Sequence, residues 1–125
     1  MKNLPQLPDS EFTIMQIVWE QPSPITINQI TALAVPQRSW TVQTVYTLLA
    51  RLVEKGFLYT TKQGRKERIY TPLVSQETYL NQETGWFFQK FHKNSVPRLM
   101  NALFKKATKE DLTEIETWLR ENTEE

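Results

Sequence analysis

The stretch from Ser39 to Tyr70, SWTVQTVYTLLARLVEKGFLYTTKQGRKERIY, restricts the fold more than any other part of the chain. Thr41 can open a helix, because its hydroxyl accepts hydrogen bonds from the free N–H groups of a first turn. Val45, Leu48, Leu49 and Leu52 then recur at i, i+3, i+4 and i+7, the spacing of a buried stripe on a helix over 42–55. Gly56 follows where a left-handed residue commonly ends a helix. FLYTTK and KERIYT are rich enough in β-branched and aromatic residues to be strands, and QGR joins them as a hairpin turn in which Gly64 supplies a positive φ.

The segments on either side complete the pattern. Residues 9–20, DSEFTIMQIVWE, predict a first helix capped by Asp9 or Ser10, with Phe12, Met15, Val18 and Trp19 on its apolar face. Thr26 can cap a short second helix with Ile27, Ile30, Leu33 and Ala34 inward. Pro36 is expected to end it, leaving PQRS as a connecting loop. Three helices followed by a two-stranded wing make a winged helix-turn-helix, to which a short strand around Ile25 could add a third strand. Pro72 closes this unit, giving an expected DNA-binding domain over 1–73 and a helical dimerisation region over 74–125. The fold class is mainly α with a small β-hairpin. In the second region Ser75, Ser95 and Thr108 (the last in the capping-box sequence TKED) can each cap a helix, the Ser95 helix carrying Val96, Leu99, Met100, Leu103 and Phe104 inward.

Composition excludes several classes. The 125 residues hold no cysteine, so disulfides, thiolate metal sites and thiol redox chemistry are out. No stretch approaches the roughly 20 apolar residues of a membrane span, and MKNLPQLPDSE has no apolar core of an export signal, so membrane insertion is not expected and a cytoplasmic location is. His92 is the lone histidine, no glycine-rich phosphate loop exists, and no Ser/His/Asp set has a credible order, so the chain reads as a non-enzyme without cofactors or metals.

Net charge is only +1, but it is segregated. Residues 37–72 carry seven Lys/Arg against two acids, whereas residues 107–125 carry two against seven. Such segregation suggests one half that faces a polyanion and another that does not. At 100° per residue, Gln43, Thr44, Thr47 and Arg51 fall within about 100° of each other, opposite the leucines. Their groups match base edges: Gln suits adenine, Arg guanine, and Thr a base acceptor or a thymine methyl. Thr41, Gln43, Thr44 and Thr47, nearest the helix start, are the candidate base readers. Arg51 suits phosphate as well as base. Lys62, Arg65, Lys66 and Arg68 cluster about the hairpin. Edge protection explains one or two lysines there, whereas phosphate neutralisation explains all four cations.

On these residues the chain resembles the penicillinase-repressor family (BlaI/MecI type). SWTVQTVYTLLARLVEKGFL with GRKERIYTPLVSQETY carries the resemblance, and LPDSEFTIMQIVWE is similar to that family's opening helix. The resemblance implies a homodimeric transcriptional repressor, with the winged helix on palindromic operators in double-stranded DNA and the C-terminal helices forming the dimer. In the family, induction often follows cleavage by a membrane sensor protease, so that protease or another inducer is an implied partner. The chain also departs from the family. Gln43, Tyr46 and Glu54 stand where relatives often carry lysine, the cysteines of a copper-responsive branch are missing, and no family cleavage pair aligns in RLMNALFKK.

The C-terminal region argues for self-association independently. Phe87, Phe91, Leu99, Leu103, Phe104, Leu112, Ile115, Trp118 and Leu119 are too many large apolar residues to hide within about fifty residues, and they are the candidate dimer interface. The competing reading, a winged helix that only binds proteins, calls for an apolar or acidic wing, and this one is basic.

Overall fold

The computed structural model describes residues 4–62 and 67–123. Among these described residues nine elements follow one another: α1 (Asp9–Glu20), β1 (Ile25–Thr26), α2 (Ile27–Arg38), α3 (Val42–Glu54), β2 (Leu58–Lys62), β3 (Arg68–Pro72), α4 (Gln76–His92), α5 (Val96–Phe104) and α6 (Lys109–Asn122). The chain divides into two compact units, Met1–Glu83 and Thr84–Glu125. The start of α4 therefore groups with the N-terminal unit, beyond the residue-73 boundary read from the sequence.

The N-terminal unit is built around α3. Val45, Leu48, Leu49 and Leu52 are buried, as their spacing requires, and meet Ile14, Met15, Ile17 and Val18 of α1 with Ile30 and Ala34 of α2. Burying a side chain of this size stabilises by about 1.5–3 kcal/mol. The stop after α3 is a Schellman arrangement: the Phe57 N–H donates to the Leu52 carbonyl (2.9 Å), the Gly56 N–H to that of Val53 (3.1 Å), and Gly56 has φ +85°. Phe57, just beyond, is fully buried, so the turn into the wing is anchored by packing as well as by hydrogen bonds.

The sheet is three-stranded and antiparallel in the order β1-β3-β2, so the short strand at Ile25 does join the wing. Ile25 pairs with Tyr70, and β2 pairs with β3 from Leu58↔Pro72 to Lys62↔Arg68. The expected turn at Gly64, with Arg65 and Lys66, lies outside the described residues.

Three local expectations are corrected. Helix α1 has Pro8 at its cap position and no side-chain cap. Asp9 instead pairs with Arg38, and Ser10 caps nothing. Pro36 does not end α2: the helix runs to Arg38, and Ser39 turns left-handed (φ 55°) to close it. Proline removes one hydrogen bond, to the carbonyl four residues back, and α2 continues past that loss for two more residues. Leu33 is 39% exposed rather than inward. Thr26, Thr41, Ser75, Ser95 and Thr108 all cap as expected, Thr26 and Thr108 in full capping boxes with Gln29 and Asp111.

The segment before α1 is tied to the start of α4. The Leu7 N–H donates to the Tyr79 hydroxyl (2.8 Å), and the Gln82 amide both receives from and donates to the Leu4 backbone (3.2 and 2.7 Å). Tyr79 is fully buried among Phe12, Trp19 and Phe57. That burial pushes its phenol up to about 12, with the Leu7 N–H opposing and Glu83 adding to the rise.

The C-terminal unit is different in kind. None of the residues of α5 or α6 is buried. Val96, Leu103 and Phe104, expected inward on α5, are about half exposed within the single chain. An open groove of about 510 Å³ is lined by Met100, Leu103, Phe104, Ala107, Ile115 and Trp118.

Candidate nucleic-acid interface

With its leucine stripe buried, α3 turns the opposite face outward. Thr41, Gln43, Thr47 and Arg51 are exposed and Thr44 is half-buried, so the polar ridge expected from the sequence exists as a surface. Its hydroxyls are already oriented. The Thr41 hydroxyl accepts from the Thr44 N–H (3.1 Å) and lies 3.0 Å from the Thr44 hydroxyl. The Thr47 hydroxyl donates to the Gln43 carbonyl (3.0 Å), which leaves its oxygen lone pairs free to accept.

The wing supplies charge. Strand residues two apart share a face, so Leu58, Thr60 and Lys62 of β2 lie with Arg68, Tyr70 and Pro72 of β3 on one side of the sheet. Leu58 and Tyr70 are the buried end of that face. Lys62 and Arg68 are its exposed end, directly opposite one another in the ladder. Like charges directly opposite destabilise a strand pair. No carboxylate among the described residues forms an ion pair with either of them, or with Arg51. The acid of the wing is engaged elsewhere: the Glu67 carboxylate accepts from the Asn28 N–H (3.1 Å) in the first turn of α2, where helix-terminal N–H groups favour a negative charge. Arg65 and Lys66 lie outside the described residues.

Two of the seven cations counted between residues 37 and 72 serve the fold. Lys55, the C-cap of α3, pairs with Glu11 at 2.5 Å, and Glu11 is only 2% exposed. Arg38 pairs with Asp9 at 2.6 Å, donates to the Thr13 hydroxyl (2.8 Å), and sits over the Trp40 ring. Both ion pairs brace α1 against the helices that follow. Sequence counting missed them because the partner carboxylates are far away along the chain. The signal for the Lys55 pair was Glu11, an acid on the buried face of α1.

Within the wing, the Thr60 side chain links the two strands. The Thr60 hydroxyl donates to the Ile69 carbonyl (2.9 Å) and lies 3.4 Å from the Arg68 guanidinium. Burial raises the phenol pKa of Tyr70; Thr60 and Arg68 oppose the rise and Tyr46 adds to it. Neither Tyr46, noted only where relatives often carry lysine, nor Thr60 was among the candidate DNA-binding residues.

The nine apolar candidates for self-association all fall in the C-terminal unit. Phe87, Phe91, Leu103, Phe104, Leu112, Trp118 and Leu119 are exposed, and Leu99 and Ile115 are half-buried. Among the described residues there is no cluster of side chains suited to a metal ion, and no helix is long and apolar enough to cross a membrane.

Three helices, an outward polar ridge on the third and a three-stranded wing define a winged helix-turn-helix protein. The penicillinase repressor family model matches residues 7–121, nearly the whole chain, and the protein belongs to that family. Among its relatives, the penicillinase repressor of Bacillus licheniformis is 30% identical over 96 residues, covering 77% of this chain and 73% of that protein. The methicillin resistance regulatory protein MecI of Mammaliicoccus sciuri is 27% identical over 111 residues, 89% and 86% of the two chains. The solution structure of the DNA-binding domain of the repressor BlaI superposes with a TM-score of 0.55 at 34% identity, covering 63% of this chain and 94% of that one. The B. licheniformis BlaI monomer in complex with the blaP half-operator gives 0.54 with the same identity and coverage.

Proposed function

We propose that this protein is a transcriptional repressor that binds palindromic operators as a homodimer. The observation that carries the reading is the exposed ridge of Thr41, Gln43, Thr44, Thr47 and Arg51 beside a wing whose opposed Lys62 and Arg68 have no acid partner among the described residues. In this reading the start of α3 enters a major groove and the first four residues read base edges. Arg51, Lys62, Arg65, Lys66 and Arg68 neutralise phosphates, and a protein with this role works in the cytoplasm. Membership of a repressor family supports the reading, as does the likeness to a BlaI domain solved on a half-operator.

The apolar residues of the C-terminal unit, from Phe87 to Leu119, pair two copies. Pairing places a second DNA-binding unit at high effective concentration over the other half-site, so any signal that separates the two copies releases DNA without chemistry at the DNA-binding unit. Cleavage by a sensor protease, or another inducer acting on this region, is such a signal.

Selection of bound fragments from random and genomic DNA by the full chain tests this directly. Enrichment of a two-fold symmetric sequence is expected, with Arg51→Ala weakening its capture. Recovery of no common sequence would refute operator recognition.

A further inference from the structure

The C-terminal unit is divided by charge as sharply as its surface is apolar. From Thr84 to Lys109 it carries Lys90, Lys93, Arg98, Lys105, Lys106 and Lys109 and not one Asp or Glu, whereas residues 110–125 carry seven acids against Arg120 alone. The sign changes in the first turn of α6. Two of the acids have a local role there: negative charge suits the free N–H groups of a helix start, where Glu110 and Asp111 stand, and Asp111 completes the Thr108 capping box. Glu114, Glu116 and Glu121 have no such role. All three are exposed, as are the six cations, and no ion pair joins the two segments among the described residues. Even Lys106 and Glu114, which line the same groove, do not pair within the chain.

These charges border the exposed apolar faces. On α6, at 100° per residue, Glu114 and Glu116 fall on opposite sides of the stripe of Leu112, Ile115, Trp118 and Leu119. On α4 the rings of Phe87 and Phe91 lie 5.3 Å apart, and the Lys90 ammonium is 5.4 Å from the centre of the Phe91 ring. One apolar face therefore has an acidic border and another a basic one. A two-fold axis restricts how they meet, because contact of one patch with another is repeated in reverse. Setting α6 against its own copy brings acid to acid, and setting the basic segment against its own copy brings cation to cation; like charges facing each other across an interface are costly. The crossed arrangement brings opposite charges together twice.

We infer that the two copies meet by exchange: α6 of each lies against the basic α4–α5 segment of the other, with Glu114 and Glu116 facing Lys90 and Lys93 of the second copy. The inference rests on the dimer reading and adds to it which face meets which. Apolar burial supplies the affinity, and the charged borders select the partner face and its register.

Sedimentation of the full chain across a KCl series tests this with two charge-reversed variants, Lys90→Glu/Lys93→Glu and Glu114→Lys/Glu116→Lys. The wild-type dimer is expected to weaken as salt screens the contacts. Each variant alone sets like charges against each other at both symmetric contacts, and is expected to dimerise about tenfold more weakly. An equimolar mixture of the two is expected to regain wild-type affinity as a heterodimer, because each reversed face then meets an opposite one. Variants that dimerise like the wild type would overturn the exchange and leave the dimer standing. So would a mixture no tighter than its components, which would mean that the charges pair within one chain. Loss of DNA affinity by Lys90→Glu/Lys93→Glu at concentrations where it is still dimeric would assign the basic segment to DNA and overturn the exchange as well. A wild-type chain that stays monomeric at every concentration would overturn the dimer reading, and the exchange with it.

Discussion

The two units of this chain solve the problem of apolar surface in opposite ways. In Met1–Glu83 the apolar faces of three helices close on one another, and Ile14, Met15, Ile30, Ala34, Val45, Leu49, Leu52 and Phe57 are left with no exposed surface. In Thr84–Glu125 the helices are as well formed and as well capped, yet α5 and α6 bury nothing, and Trp118 is 60% exposed. The contrast is not one of composition, since both units are supplied with leucine and aromatic residues. It arises from geometry. The N-terminal helices surround a common centre, whereas about forty residues in the other unit are too few to enclose their own large side chains. One unit is finished by its own sequence. The other is completed by a second copy, under the reading proposed above.

Two substitutions break that contrast if it is wrong, and the larger effect comes first. Leu52→Ala removes a fully buried side chain from the closed core and is expected to cost about 2–5 kcal/mol, read as a lowered urea midpoint at unchanged slope. A loss below about 1 kcal/mol would mean that the core around α3 is not tightly packed. Trp118→Asp is the counterpart in the open unit. It is expected to leave the unfolding of the N-terminal unit unchanged, convert the protein to a monomer in sedimentation, and weaken binding to a palindromic duplex about a hundredfold through lost avidity. A variant that remained dimeric would remove Trp118 from the interface. One that unfolded the N-terminal unit would show that the two units are not separately completed.

The same contrast explains which features were legible in the sequence. The register of α3 was plain because one strong period, Val45 to Leu52, has a matching cap at Thr41 and a stop at Gly56, and all three are local. Helix α1 was harder, because it packs on two sides. Phe12 and Trp19 meet Tyr79 in an aromatic cluster, while Ile14 and Ile17 enter the leucine core. A helix buried on two faces gives no clean stripe. The Glu11–Lys55 and Asp9–Arg38 pairs were hidden because sequence separation says nothing about which charges meet in space. Pro36 misled because a proline removes one hydrogen bond and crowds the turn before it without obliging the helix to stop there. On α5 the capping signal at Ser95 was legible, and the excess of large apolar residues already implied that part of the stripe below it is left uncovered within one chain.

The smallest effect sharpens the comparison most, because one device occurs in both units. Thr26 with Gln29 and Thr108 with Asp111 form full capping boxes at the starts of α2 and α6. Replacing either threonine by alanine removes an acceptor for a free N–H and is expected to cost about 1 kcal/mol. In Thr26→Ala that loss falls on a unit that folds by itself, so the melting temperature drops by the same amount at every protein concentration. In Thr108→Ala it falls on a helix whose apolar face is covered only by pairing, so it enters the association equilibrium once for each protomer and, at about 2 kcal/mol per dimer, is expected to raise the dimer dissociation constant about thirtyfold. Thermal melts over a hundredfold range of protein concentration, alongside sedimentation, separate the two cases. A Thr108→Ala melting shift that does not depend on concentration would mean that α6 folds without a partner, and the proposed division between a self-completed unit and a pair-completed one would then fail.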